Sequence, residues 1–188
     1  MSLTLMTPSL SHRATMLGEM LRSVSAQTVQ PDSHLIRIHT PERPSVQGLV
    51  DQRNALLKMV QTEWMAWVDD DDLLLPNHVE TLLSGMDGAD LVYTWPKGPQ
   101  PFEKWDVTGW SQEELLMALL AGNGIPSCVA MRTSMVYATG GWVKPMAGPI
   151  RFDDHDMLFR LASMGARFRC IPEETWVYRR GGWPRLTA

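Results

Sequence analysis

Four consecutive carboxylates, Asp69, Asp70, Asp71 and Asp72, follow the apolar run of residues 65–68. Adjacent carboxylates repel one another, and a packed fold rarely tolerates four of them without a cation. Magnesium or manganese takes one or two protein carboxylates and completes its shell with water and substrate phosphates. The apolar run predicts a strand, which puts the aspartates at its C-terminal end, the edge where open α/β sheets bind ligands. Alternation along a strand-like tip predicts Asp69 and Asp71 on one side and Asp70 and Asp72 on the other. Two carboxylates can then meet a ligand while another caps the next helix. The bland alternative is an exposed acidic turn with helix caps.

A second cluster, Asp153-Asp154-His155-Asp156, opens the apolar-periodic stretch Met157-Leu158-Phe159-Arg160-Leu161. Carboxylates at a helix start are favoured by the macrodipole, so capping would explain an isolated Asp-Asp. A general base must be a carboxylate at a pocket edge, within reach of the acceptor. This cluster qualifies only if the fold brings it near the first, and His155 would then border the site. The chain holds eight tryptophans. Trp95, Trp105 and Trp110 flank the proline-bearing stretch 95–109, and aromatic faces stack on sugar rings and bases. Trp95 and Trp110 are therefore acceptor-site candidates, with core or lid packing as the alternative. Arg179 and Arg180 follow a predicted strand over 175–178 and precede Gly181-Gly182, where guanidinium groups could pair with a diphosphate.

The elements that must position these residues alternate. Strands are predicted over 2–7, 35–39, 65–68, 91–94 and 127–131, with two late strands over 167–171 and 175–178. Helices are predicted over 13–26, 46–60, 77–85, 111–120 and 152–164. Asn77 with Glu80, and Ser111 with Glu114, look like helix starts, the second a capping box. Residues 95–109 and 140–150 are predicted as loops. Strand–helix alternation in the first 90 residues implies parallel strands with crossover helices. The expectation is one α/β domain with a mixed, mainly parallel sheet of six or seven strands flanked by helices.

Composition narrows the class. With 44% hydrophobic and 20% charged residues, the 188-residue chain matches a soluble globular domain. A net charge of -4 does not suggest nucleic-acid binding. The charge is uneven, because residues 157–188 hold six arginines against Glu173 and Glu174 while the aspartates concentrate earlier. An acidic centre with an arginine-rich end suits a metal and a phosphate better than a long polyanion. Cys128 and Cys170 have neither disulfide-framework nor zinc-site spacing and are expected as buried strand thiols. His12, His34, His39 and His78 lack metal spacing and are expected at the surface. No apolar run reaches membrane-span length, and the N-terminus lacks a basic signal region. A cytoplasmic location follows as an expectation.

Five segments in order resemble glycosyltransferase family 2, inverting enzymes with the GT-A fold. The opening strand into Thr7-Pro8, with Ser23-Val24-Ser25-Ala26-Gln27-Thr28, is similar to that family's first strand and S-x-x-x-Q-T turn. Asp51-Gln52-Arg53-Asn54-Ala55 resembles its A-R-N segment, and Asp69-Asp70-Asp71-Asp72 its D-x-D-D. Met131-Arg132 with Gly140-Gly141-Trp142 resembles R-R…G-G-F. Residues 153–161 match E-D-x-D-L-x-x-R-L, with Asp153 in place of Glu. Where the family carries an acidic nucleoside-binding segment, this chain reads Ile38-His39-Thr40-Pro41-Glu42, and the histidine often found after the Y-R segment is replaced by Arg180-Gly181-Gly182.

The resemblance implies a single GT-A (Rossmann-like) domain over 1–188. Residues 1–94 would form the nucleotide-sugar and metal half, 95–180 the acceptor and catalytic half, and 181–188 a tail. It implies Asp71 and Asp69 as ligands of Mn2+ or Mg2+, and Thr7, Pro8, Arg53, Asp69 and Asp70 as the nucleotide-sugar site. Arg179 and Arg180 would close over the donor, Asp154 would be the base, and Asp153 and His155 would face the acceptor. The donor would be a nucleotide-diphosphate sugar, with a UDP-sugar as the first expectation. The acceptor stays open among glycan, lipid, protein and modified nucleobase, as does assembly into a homo-oligomer. A sugar-phosphate nucleotidyltransferase and a non-catalytic nucleotide-sugar or cation-binding module are the competing readings.

Overall fold

The computed structural model describes residues 1–41, 45–98, 103–145, 150 and 152–179. Strand β1 (Leu3–Leu10) leads through a 3-10 turn (Ser11–Arg13) into helix α1 (Ala14–Ser25). Strand β2 (Ser33–His39), helix α2 (Val46–Leu57) and strand β3 (Trp64–Trp67) follow. All eight residues of β1 are buried, because both its faces are covered and β2 and β3 flank it in parallel register. In α1, Leu17, Met20 and Val24 recur at helical spacing and form the buried stripe. Ser45 caps α2 by accepting the Gly48 N–H at 3.0 Å.

Next come the two-residue strand β4 (Leu73–Leu74), helix α3 (His78–Ser84), strand β5 (Leu91–Lys97) and helix α4 (Gln112–Ala121). The Ser111–Glu114 capping box opens α4 as its spacing predicts. Strand β6 (Val129–Arg132), helices α5 (Thr133–Ala138) and α6 (Asp153–Ser163) and strand β7 (Phe168–Val177) complete the order. The sheet runs β2-β1-β3-β6-β5-β7-β4. Pairs β1–β2, β1–β3 and β5–β7 are parallel, whereas β3–β6, β5–β6 and β4–β7 are antiparallel. This is the expected mixed α/β architecture. Chain order reverses across β1, so the C-terminal ends of β1 and β3 meet at a switch point, where such sheets form a ligand crevice.

Several local expectations are corrected. The two late strands are one, β7, whose pairing with β5 shifts register around Trp95. That shift lets β5 continue through Pro96 into the stretch read as loop. Helix α5 and strand β4 lie below the length at which periodicity is informative. Asn77 makes no side-chain cap bond. Instead Gln27 accepts the Val79 N–H at 2.9 Å and donates to the Leu75 carbonyl at 2.8 Å. Ser23 accepts the Leu74 N–H at 3.1 Å, so the S-x-x-x-Q-T segment fastens the end of α1 to the chain leaving the acidic turn. His78 is fully buried rather than at the surface, bonded to Thr175 at 2.7 Å and Cys128 at 3.5 Å. Both cysteines are free and buried as expected, Cys170 within β7 but Cys128 one residue before β6 rather than in a strand.

Candidate active site

Beyond β3 the chain turns at once, closed by the Asp72 N–H donating to the Asp69 carbonyl at 3.2 Å. Strand alternation therefore does not apply to the four aspartates. Asp72 comes round to the same side as Asp69 and Asp71, and these three offer carboxylate oxygens within 4.8 Å of one another. Asp70 instead points inward and has no exposed surface, with Ser9 Oγ donating to it at 2.6 Å and Arg13 2.8 Å away.

Three arginines, far apart in sequence, surround this turn. Arg13, itself buried, forks between Asp70 and Asp71 with both contacts at 2.8 Å. Arg179 donates its backbone N–H to Asp72 at 3.1 Å, while its guanidinium bonds the Asp71 carbonyl and Glu19. Arg53, from α2, lies 3.9 Å from Asp69 and 3.9 Å over the Trp67 ring. Part of the positive charge that four adjacent aspartates require is thus supplied by the protein. It is not sufficient for every group. Burial first, then the neighbouring Asp69 and Asp71 carboxylates, push Asp72 up to about 9. Burial pushes Asp69 up to about 7 despite the opposing Arg53 charge. Three crowded, partly solvent-reachable oxygen ligands short of positive charge fit a hard divalent cation such as Mn2+ or Mg2+.

The second cluster reaches this turn through Arg53, which donates to Asp153 at 2.6 Å. The fold therefore brings the second acidic cluster near the first. Asp154, in the first turn of α6, lines a cleft with Arg53, Trp67 and Trp142. It is half-buried, and burial together with neighbouring Asp153 raises its carboxyl above the ordinary carboxylate range. One of its oxygens accepts the His155 N–H at 2.7 Å. The cleft wall is built by Asn54, which donates to the Trp142 carbonyl at 2.7 Å and accepts its N–H at 2.8 Å. The Trp142 ring packs at 5.7 Å on Trp67, whose indole N–H donates to Asp69 at 2.7 Å.

The remaining candidates divide. Pro8 lines a crevice with Ser9, His39, Pro41 and Gln52 at the ends of β1 and β2. Thr7 is buried, and its hydroxyl donates to the Val68 carbonyl at 2.9 Å while taking a hydrogen bond from His34. It braces β1 against β3 beneath that crevice. His155 is buried and turns away from the acidic turn, donating to the Leu119 carbonyl at 2.8 Å. Trp95 is buried edge-on to Tyr93, and Trp110, more exposed, packs at a tilt against Trp105. Arg180, Glu42 and the tail 181–188 lie outside the described residues. Arg13 and the Trp67–Trp142 pair were not among the sequence candidates, and Asp72 was expected on the side opposite Asp69 and Asp71. The available signal for Arg13 was a basic residue in the short turn after β1.

A family model described as glycosyl transferase family 2 matches residues 17–139. No curated protein matches the chain in sequence. Among solved structures, TarS 1-349 of S. aureus in complex with UDP-GlcNAc superposes with a TM-score of 0.70 at 15% identity, covering 97% of this chain and 60% of that one. Mannosyltransferase PcManGT from Pyrobaculum calidifontis, in complex with GDP-Man and Mn2+, gives 0.64 at 13% identity, covering 96% and 58%. Glucosyl-3-phosphoglycerate synthase from Mycobacterium tuberculosis, in complex with Mn2+, UDP and phosphoglyceric acid, gives 0.61 at 16%, covering 96% and 71%. At these identities the likeness is one of fold. The chain spans 60% of the length of TarS 1-349. Among the described residues, no helix is long and apolar enough to cross a membrane.

Proposed function

The chain belongs to glycosyl transferase family 2, and from that membership we propose that it moves a sugar from a nucleotide-diphosphate donor to an acceptor hydroxyl, with inversion at the anomeric carbon. The observation that carries this reading is the Arg53 bridge. By holding Asp153 it fastens the first turn of α6, where the neighbouring Asp154 has raised proton affinity, beside a cation-ready acidic turn at the switch point of an α/β sheet.

Asp69, Asp71 and Asp72 would hold Mn2+ or Mg2+, which when bound offsets charge developing on the departing diphosphate. The crevice at Pro8, His39 and Gln52 takes the nucleoside. Arg53, fixed over Trp67, keeps a guanidinium between the acidic turn and α6. Asp154 accepts the proton of the acceptor hydroxyl as that oxygen attacks the anomeric carbon, while the bond from that carbon to the diphosphate oxygen breaks on the opposite face. The donor half thus contributes Arg53 and the acidic turn, and the later half contributes the base. The complexes of structural relatives with UDP-GlcNAc, UDP and GDP-Man support a nucleotide-sugar donor, with a UDP-sugar as the first candidate.

A thermal-shift panel of nucleotide sugars, with and without Mn2+, tests this reading. The true donor should raise the melting temperature by mass action, and more so with the cation. A panel in which none does so sinks the donor assignment. A donor that binds but is never turned over, whatever the acceptor, would favour a binding module.

A further inference from the structure

We propose that Arg13 is a positioning residue for the metal-binding carboxylates: it fixes the orientation of Asp71 and is itself anchored by Asp70. This rests on the reading of the acidic turn as a cation site. Asp69, Asp71 and Asp72 share one turn, but each has one carboxylate oxygen held by a donor from a different element. The Trp67 indole of β3 holds Oδ1 of Asp69 at 2.7 Å. Arg13, from the 3-10 turn after β1, holds Oδ2 of Asp71 at 2.8 Å. The backbone N–H of Arg179, beyond β7, holds Oδ1 of Asp72 at 3.1 Å.

Arg13 differs from the other two donors in carrying a charge with its side chain almost wholly buried, 3% exposed. A guanidinium in that position needs a fixed partner, and Asp70, with no exposed side-chain surface, provides it. Ser9 orients Asp70 in turn at 2.6 Å. The fork geometry lets one side chain engage two carboxylates, which an ammonium on a flexible stem does not reproduce. The order of support therefore runs from Ser9 through Asp70 and Arg13 to Asp71. Asp70, the one aspartate that stays out of the cation cluster, has a role as the anchor of Arg13.

The test uses Mn2+ alone as the probe, read by electron paramagnetic resonance of the free ion, on the wild type, Arg13→Lys and the double variant Arg13→Ala/Asp70→Asn. The lysine keeps the charge, and the double variant removes the anchor's charge together with the arginine, so that one folded variant is available if the other fails. Metal-free melting temperature and far-ultraviolet circular dichroism are measured alongside. Either folded variant should bind Mn2+ roughly ten- to a hundredfold more weakly, the usual loss when a support of a ligating side chain is removed. A variant whose metal-free melting temperature falls while its Mn2+ affinity is unchanged would make Arg13 purely structural and overturn the proposal. A wild type that binds no Mn2+ would overturn it as well. A wild type that binds Mn2+ but no nucleoside diphosphate would sink the donor reading instead, and the Arg13 comparison would still decide this one.

Discussion

Arg53 and Asp153, one hundred positions apart in the chain, meet at 2.6 Å. Through this contact a helix that follows β2 reaches the first turn of α6, and two acidic clusters become one site. The pair is buried on both sides, and its guanidinium also lies on Trp67 and near Asp69. Removing one member of such a pair leaves an uncompensated buried charge. The arrangement therefore links the integrity of the first turn of α6 to that of the acidic turn.

Asp71→Asn should abolish Mn2+-dependent binding of a nucleoside diphosphate while the protein stays folded, because Arg13 keeps its contact with Asp70. Isothermal titration checks this, and unchanged affinity in the variant would remove Asp71 from the metal site. In the wild type the same titration should depend on pH. Burial and mutual repulsion raise Asp69 to about 7 and Asp72 to about 9, so a cation must displace protons from them near neutrality. Because the folded, metal-free state holds these protons more tightly than the unfolded chain, its stability from these groups falls as pH rises toward those values. Mn2+ binds the deprotonated form. The rise in melting temperature that Mn2+ produces should therefore grow with pH, and a flat dependence would contradict the raised proton affinities.

Asp154→Asn should leave donor binding nearly unchanged and lower turnover by roughly a hundredfold or more, the scale of a lost general base. The wild-type rate should also fall as pH is lowered, because the active form is the carboxylate. Burial and Asp153 raise its proton affinity, so the loss should begin above the ordinary aspartate range. Single-turnover rates at saturating donor separate the steps. A collapse of donor affinity with surviving chemistry would make Asp154 a binding residue.

The sequence carried the sheet edge well, because an apolar strand ending in carboxylates is a local signal. The elements of α/β alternation were likewise legible from periodicity. What escaped depended on contacts distant in sequence. Nothing near Asn77 reveals that Gln27 will cap α3 in its place. Nothing near Asp72 reveals that a turn rather than an extended tip will bring it to Asp69. His78 reads as a polar residue at a helix start, yet it is enclosed by Thr175 of β7 and by Cys128. Trp95 sits at the edge of a proline-bearing stretch but continues a strand, because the pairing of β5 with β7 extends past it.

Arg179→Ala should weaken binding of a nucleoside diphosphate more than that of the monophosphate. Its guanidinium stands over the acidic turn, bonded to the Asp71 carbonyl and to Glu19. A diphosphate bound at that turn would offer stronger charge-assisted acceptors than a half-exposed carboxylate. Glu19→Gln, which weakens the competing partner, should leave diphosphate affinity equal or slightly higher. Equal losses for both nucleotides in Arg179→Ala would reduce Arg179 to a strut between α1 and the turn.

Gly141→Ala should damage the site from a distance, and more than Gly140→Ala. Both glycines have positive φ, 84° at Gly140 and 83° at Gly141, so either alanine carries a left-handed strain of about 1–2 kcal/mol. At Gly140 an added Cβ meets nothing within 4 Å, whereas at Gly141 it would sit 2.5 Å from Oδ1 of Asn54. That oxygen accepts the Trp142 N–H, and Trp142 packs on Trp67, the residue that holds Asp69. Displacing Asn54 therefore loosens the cleft wall and one support of the acidic turn together. Gly140→Ala should lower the melting temperature by only a few degrees, about 2–4 °C per kcal/mol for a chain of this size, with normal Mn2+ affinity. Gly141→Ala should lower it further and weaken Mn2+ binding as well. Equal melting temperatures and equal Mn2+ affinities for the two variants would show that the Asn54–Trp142–Trp67 contacts do not reach the cation site.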